Sequence, residues 1–221
     1  MIEVEIKLKI DDKEKVLSKL IEMGFVSNGI VTETDTYYDT KSGDIRQDDK
    51  ALRIRTTTGI TTGTDTITPR TTTGTTTGTD TITPTMGTDT ITFCQLNFKD
   101  KKFDNKSMTR PEYETEISDP VAIEKILNSL GYFSVIPKVA KSRHQLSYKN
   151  IHACLDTVDG LGEYLELESI VEEASMKASA LHDIELILHQ LGYKMEDTTT
   201  VSYLSALQGI CNGGCKKTVR K

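Results

Sequence analysis

The sequence predicts an α+β fold in which many antiparallel strands pack beneath a few helices and close on a charged interior. Three observations predict it. Strand after strand alternates apolar with charged residues. A unit of acid-bearing strand, helix and Gly-aromatic pair occurs three times. Like charges sit side by side on one face of several strands, an arrangement an open, wetted sheet avoids because neighbouring like charges repel.

The chain opens with MIEVEIKLKI, where Ile2, Val4, Ile6 and Leu8 alternate with Glu3, Glu5, Lys7 and Lys9. A period of two is a β-strand with one apolar and one charged face. Its charges stand roughly 6.6 Å apart, two carboxylates and then two ammonium groups. That order suits a metal ion with an anion beside it, although a solvated edge strand explains this one strand equally well. A helix over about 12–23 follows, with Val16, Leu17, Leu20 and Ile21 as its apolar stripe, and it ends at Gly24-Phe25.

Further strands are expected over 34–39, 51–55, 95–99, 135–139, 145–149 and 151–156. The second copy of the unit is Glu112-x-Glu114-x-Glu116, a helix over about 120–130, and Gly131-Tyr132. Asp119 before Pro120 is an N-cap followed by proline at the first helical position. The third copy is Glu166-x-Glu168, a helix over about 174–191, and Gly192-Tyr193. Gly24, Gly131 and Gly192 suit left-handed helix ends. A short helix over about 200–208 closes the pattern.

Residues 56–92 stand apart. TTGTDTITP begins at Thr61 and again at Thr76, and GTDTIT returns at Gly87. One isoleucine per unit cannot build the stacked core a solenoid needs. The segment reads as a long hairpin insertion, flexible or a thin Thr-rich ribbon. The organisation expected is one domain over 1–209, interrupted by 56–92, with 210–221 as a tail.

Composition narrows the classes. A chain of 221 residues has room for one large core. A net charge of -6, with basic residues clustered only at Lys216, Lys217, Arg220 and Lys221, argues against nucleic-acid binding. No apolar stretch approaches the ~20 residues that span a bilayer. The charged opening strand does not resemble a leader, so a soluble cytoplasmic protein is expected. Cys94, Cys154, Cys211 and Cys215 fit no zinc spacing, and Cys211 and Cys215 read as reduced thiols on the tail.

The helices need apolar strand faces to cover, so the charged faces point the other way. Arg53 and Arg55 share one face, as do Arg110, Glu112, Glu114 and Glu116, then Lys141 and Arg143, then Glu166 and Glu168; Lys99 ends its strand. If the sheet closes, these groups converge on a hydrated lumen. Paired carboxylates are then explained by divalent cations, and paired basic residues by polyanionic oxygens.

Glu3-x-Glu5-x-Lys7, Ala51-Leu-Arg53-Ile-Arg55, Lys99, Arg110-x-Glu112-x-Glu114, Lys141-x-Arg143, Leu155-Asp156 and Glu163-Tyr-Leu-Glu166-Leu-Glu168 follow one another in a set order. This order resembles the CYTH superfamily of triphosphate tunnel metalloenzymes, which includes class IV adenylate cyclases, thiamine triphosphatases and inorganic triphosphatases. The resemblance runs from residue 1 to about 205, interrupted by the Thr-rich segment, and is nearest to the class IV adenylate cyclase subgroup. It implies an eight-stranded antiparallel β-barrel, a tunnel that grips a triphosphate, with helices packed outside. Carried over by position, Lys7, Arg53, Arg55, Lys99, Arg110, Lys141 and Arg143 hold phosphate oxygens. Of these, Lys7, Arg53, Arg55, Lys99 and Arg110 serve the reaction itself. Glu3, Glu5, Asp156, Glu166 and Glu168 hold Mg²⁺ or Mn²⁺, with Glu112 and Glu114 close by. Lys9 and Glu116 are less firmly placed by the resemblance.

The implied chemistry has two forms. In a cyclase, the ribose 3′-hydroxyl of ATP attacks the α-phosphorus and pyrophosphate leaves. In a triphosphatase, water attacks the terminal phosphorus of tripolyphosphate, thiamine triphosphate or a nucleoside triphosphate. A third reading is a polyphosphate-binding module that has lost turnover, since the insertion interrupts two lumen strands. The partners expected are a small-molecule triphosphate, no nucleic acid and no membrane, in a monomer or homodimer. Pro111 departs from the pattern and is tolerated where its missing N–H faces an edge or bulge.

Overall fold

The computed structural model describes residues 2–62, 88–104 and 107–214. Residues 63–87 of the Thr-rich segment, Cys215 and the basic tail lie outside them. The strands are β1 (Ile2–Lys9), β2 (Val26–Asp39), β3 (Ala51–Thr62), β4 (Thr88–Lys99), β5 (Arg110–Ile117), β6 (Phe133–Tyr148), β7 (Ile151–Val158) and β8 (Gly162–Val171). They are antiparallel and close into a barrel in the order β1-β5-β4-β3-β2-β6-β7-β8. The helices are α1 (Lys13–Glu22), α2 (Asp44–Gln47), α3 (Pro120–Ser129), α4 (Lys177–Leu191) and α5 (Tyr203–Gly214).

Helix starts follow local chemistry. Asp12 accepts from the Lys15 amide and Asp119 from the Ala122 amide, at 3.0 and 2.9 Å, so each supplies a partner for a donor left free at a helix N-terminus. Gly192 ends α4 at φ +94°, a conformation an L side chain resists.

Apolar residues sort to the outside of the barrel wall. Val4, Ile6 and Leu8 of β1 join Ala153, Leu155, Leu165 and Leu167 of β7 and β8 beneath Val16 and Leu20 of α1 and Ile184, Leu188 and Leu191 of α4. Each such side chain removed from water contributes roughly 1.5–3 kcal/mol. Burying this face against helices leaves Glu3, Glu5 and Lys7 no direction but inward. The core therefore fixes where the charges go.

Several strands are longer than their sequence pattern predicts. β6 is one strand rather than two, because Lys141, Ser142, Arg143 and His144 interrupt apolar alternation without interrupting hydrogen bonding. Asp35 pairs with Val139 but Tyr37 with Val135, so extra residues of β6 bulge around Pro137, which has no N–H to give. The Thr-rich segment adds residues 56–62 to β3 and 88–92 to β4, ending with Thr62 opposite Thr88. α5 runs on to Gly214, past the expected start of the tail.

Two connections shape the mouths of the barrel. Among the described residues β1 and β5 pair through Ile2–Pro111 and Glu3–Arg110, and below them the Met108 amide donates to the Glu5 carbonyl at 2.9 Å. Pro111 thus sits at the shortest strand pairing. At the other end, the Thr199 amide donates to the Lys7 carbonyl at 2.7 Å and Thr198 bridges Leu8, which lays the start of α5 across the lumen. No helix among the described residues is long and apolar enough to cross a membrane.

Candidate active site

The inward faces enclose a cavity of about 670 Å³ lined by Glu3, Glu5, Lys7, Arg53, Arg55, Lys99, Arg110, Glu112, Glu114, Lys141, Arg143, Glu166 and Glu168. The structure therefore brings together nearly all the residues singled out in the sequence. Asp156 shares their face of β7 but lies beneath the lining, with no exposed surface. Lys9 and Glu116 are exposed.

One side of the tunnel is an ion network. Asp156 accepts from Lys141 Nζ at 3.0 Å and from Arg143 Nε and Nη2 at 2.7 and 2.6 Å, and Tyr203 donates its hydroxyl to the same carboxylate at 3.1 Å. Arg143 also reaches Glu166. Asp35 accepts from Arg53 Nη1 at 3.0 Å and from Arg55 Nε and Nη2 at 2.7 and 2.9 Å. Glu33 lies 3.1 Å from both Arg55 and Lys141. Burial alone would raise these carboxyls. The surrounding guanidinium and ammonium charges outweigh it, holding Glu33 at about 2 and Asp35 and Glu166 well below the ordinary carboxylate range.

The other side is acid-rich. Glu5 of β1 faces Glu168 of β8, and oxygens of Glu3, Glu5 and Glu168 lie within 4.8 Å of one another. Lys99 Nζ lies 2.6 Å from Glu3, 2.9 Å from Glu112 and 3.7 Å from Glu5. Burial and the Glu3 charge push the Glu112 carboxyl up, against the pull of that ammonium. Burial and Glu112 push Glu114 up in turn. Asn97 donates to Glu112, and Gln95 donates to Glu114 at 2.8 Å.

Two cationic groups keep donors unspent. Arg53 Nε is buried with no hydrogen-bond partner among the described residues. Lys7 is 2% exposed, and its Nζ stands 4.4 Å from the centroid of the Tyr203 ring. Burial lowers the Lys7 pKa, so removing its positive charge is easier than in water unless an anion arrives. Arg110 is fixed differently: Nε donates to the Met108 carbonyl at 3.4 Å and Nη1 to those of Asp49 and Asp100 at 3.3 and 3.4 Å.

Sequence reasoning missed Glu33, Asp35, Gln95, Asn97 and Tyr203. The acids alternate in Thr32-Glu33-Thr34-Asp35-Thr36, so the period-two signal was present for them. Gln95 and Asn97 carry no charge to mark a face, and Tyr203 arrives on a helix, where strand periodicity gives no warning.

A family model described as the CYTH domain matches residues 1–203. The chain belongs to the CYTH family. A protein of Methanocaldococcus jannaschii provisionally named an adenylate cyclase is 32% identical over 210 residues, covering 95% of this chain and 100% of its own length. The solved structure of a Pyrococcus horikoshii protein superposes with a TM-score of 0.71 at 27% identity, over 94% of this chain and 99% of that one. A Hippeastrum protein, described as an adenylyl cyclase by provisional name with a dominant triphosphatase activity, shares the fold at a TM-score of 0.55 and 15% identity, over 94% and 95% of the two chains.

Within this CYTH tunnel the cation question can be put to the donors. Glu3, Glu5 and Glu168 offer only carboxylate oxygens, from adjacent strands, as a hard divalent cation prefers. Asp156 and Glu166 are instead engaged by Arg143, with Lys141 also on Asp156. The donor set fits a cation at Glu3, Glu5 and Glu168.

Proposed function

We propose that this protein is a divalent-metal-dependent enzyme that acts on a triphosphate inside the tunnel, converting ATP to cyclic AMP and pyrophosphate. One observation carries the reading. Lys7 Nζ and Arg53 Nε, both buried and both free of carboxylate hydrogen bonds among the described residues, lie in the same lumen as three gathered carboxylates, two of them on the strand that carries Lys7. A polyanion with a bound cation satisfies both halves at once.

Lys7 and Arg53 grip phosphate oxygens with donors left free, and Arg55, Lys141 and Arg143, held by Asp35, Glu33 and Asp156, add fixed positive charge beside them. Glu3, Glu5 and Glu168 hold Mg²⁺ or Mn²⁺, which when bound neutralises phosphate charge and polarises the attacked phosphorus. Phosphate transfer asks the protein mainly for alignment and charge stabilisation, which fixed cations in a walled tunnel provide. In the cyclase reaction a bond forms from the ribose 3′-oxygen to the α-phosphorus, and the bond to the pyrophosphate oxygen breaks. A pocket of about 670 Å³, which includes the tunnel mouth, falls in the usual range of roughly 300–1,000 Å³ for organic ligands and has room for a nucleotide. The relative from Methanocaldococcus jannaschii lends the same support through its name. Hydrolysis of the terminal phosphate would use the same grip in another register; the Hippeastrum protein of the same fold is described as having a dominant triphosphatase activity.

The deciding experiment incubates the protein with ATP, tripolyphosphate or thiamine triphosphate and Mg²⁺ or Mn²⁺, and separates cyclic AMP, pyrophosphate and phosphate. Cyclic AMP from ATP supports the proposal; phosphate as the sole product replaces it with a triphosphatase. Excess chelator should abolish turnover, and Glu5→Gln should lower it at least ~10-fold. Full activity in chelator removes the cation from the mechanism.

A further inference from the structure

Most tunnel cations are held by carboxylates. Lys7, unlike Lys99 and Lys141, is not: no carboxylate lies within 4.0 Å of its Nζ among the described residues, although the charges of Glu166 and Glu5 reach it from farther away. What it meets is the face of Tyr203. The same ring lies 5.4 Å from Lys141 Nζ, so one aromatic ring serves two ammonium groups. Both separations are within the ~6 Å over which a ring quadrupole attracts a cation.

Tyr203 is itself held from three directions. Its hydroxyl donates to Asp156 Oδ2 at 3.1 Å, the carboxylate that also orients Lys141 and Arg143. Its ring meets Tyr164 edge-on, with centroids 5.0 Å apart. Its backbone begins α5, which the Thr199–Lys7 hydrogen bond ties to the strand that carries Lys7. The side chain is 6% exposed. A ring fixed this firmly presents its face to Lys7 at little entropic cost when a ligand binds.

The difference between a carboxylate and a ring partner matters for an anion site. A carboxylate neutralises the ammonium and must be outcompeted by phosphate. An aromatic face attracts the ammonium but accepts none of its strong N–H hydrogen bonds, so all its donors stay available. We propose that Tyr203 is a positioning residue for the triphosphate: its ring face holds Lys7, and to a lesser degree Lys141, aimed into the lumen with unspent donors. This rests on the tunnel being a triphosphate site. It assigns a role in binding to a residue of the last helix, outside the charged strand faces.

The test grades the ring quadrupole while leaving its shape. Phenylalanine and its mono-, di- and trifluorinated forms are placed at position 203, and tripolyphosphate binding is measured by calorimetry at one Mg²⁺ concentration, with melting curves recorded for each variant. Tyr203→Phe keeps the ring and should stay within about 3-fold of wild type. Successive fluorines withdraw charge from the ring face and should weaken binding stepwise, by about 3- to 30-fold across the series, the cation–π range at 1.4 kcal/mol per tenfold. In a Lys7→Met background the series should flatten, a coupling that a packing role for the ring would not produce. A flat series in the presence of Lys7 overturns the assignment, as does an equal slope with and without Lys7. Wild-type protein that fails to bind tripolyphosphate overturns the tunnel reading itself, and this proposal with it; a binding wild type with a flat series overturns the role of Tyr203 alone.

Discussion

The two sides of the tunnel hold similar residues under opposite conditions. Around β2, β3, β6 and β7, each carboxylate lies among cations: Glu33, Asp35 and Asp156 touch Arg53, Arg55, Lys141 or Arg143. Their neighbours favour the charged form, and Glu33 and Asp35 stay ionised far below neutrality. Around β1, β4 and β5, carboxylates outnumber their one close ammonium, Lys99, and Glu112 and Glu114 are pushed up. Buried ions cost several kcal/mol unless paired. The first side is compensated by the chain itself. The second gathers more carboxylates than close ammonium groups, which is why the cation is proposed there.

The largest test of this contrast is Asp156→Ala. It strips a fully buried carboxylate from Lys141, Arg143 and Tyr203, and removing one partner of a buried network costs about 3–5 kcal/mol. Denaturant unfolding should show that loss, while calorimetric Mg²⁺ affinity changes little. A stable variant with weakened Mg²⁺ binding would move Asp156 back among the metal ligands.

Acid titration should separate the sides by sign. Glu33 is depressed in the fold, so its stabilisation is complete above its ordinary value near 4.5 and fades as pH falls toward about 2. Glu33→Gln should therefore be destabilising at pH 7, with the cost shrinking over that acid window. Glu112 is raised, so its ionised form opposes folding above its folded pKa. Glu112→Gln removes a carboxyl that resists ionisation but also the Lys99 partner at 2.9 Å, so it should cost less at pH 7 than Glu33→Gln and its cost should not shrink over the same acid window. Parallel pH dependences for the two variants would break the comparison.

A smaller effect tests the compensated side as a ligand site. Arg53→Lys or Arg55→Lys replaces a planar fork with a point charge and should weaken tripolyphosphate binding by roughly 1–3 kcal/mol, read by calorimetry. Unchanged affinity in both would leave those arginines a structural role only. The smallest effect concerns the Thr-rich segment. Thr62 faces Thr88, so replacing residues 63–87 with a short Gly-containing turn should shift stability by only about 0.6 kcal/mol for each doubling of loop length removed. A collapsed melting transition would show that those residues support the barrel.

Legibility in the sequence followed the same division. β1 and β8 were readable because helices bury their outer faces, so apolar and charged residues alternate strictly. Closure was readable from like charges on successive strands. β2 was read short because Val26 and Ile30, its early apolar residues, are exposed and report no core. Glu33 and Asp35 were overlooked with it, although they compensate the arginines that the sequence did identify. Asp156 shows a different limit: strand parity gives the face a residue occupies, but only cross-strand geometry decides whether it meets arginine or a cation.

The short pairing of β1 with β5 has its own consequence. A closed barrel is only as continuous as its least-bonded join, and here that join has two residue pairs beside Glu3. Local opening of the wall should therefore cost least there, where few backbone hydrogen bonds must break. Charge and sparse bonding coincide there, so faster amide exchange at Ile2 and Glu3 than along β7 is the expected signature of a wall whose acid-rich side opens first.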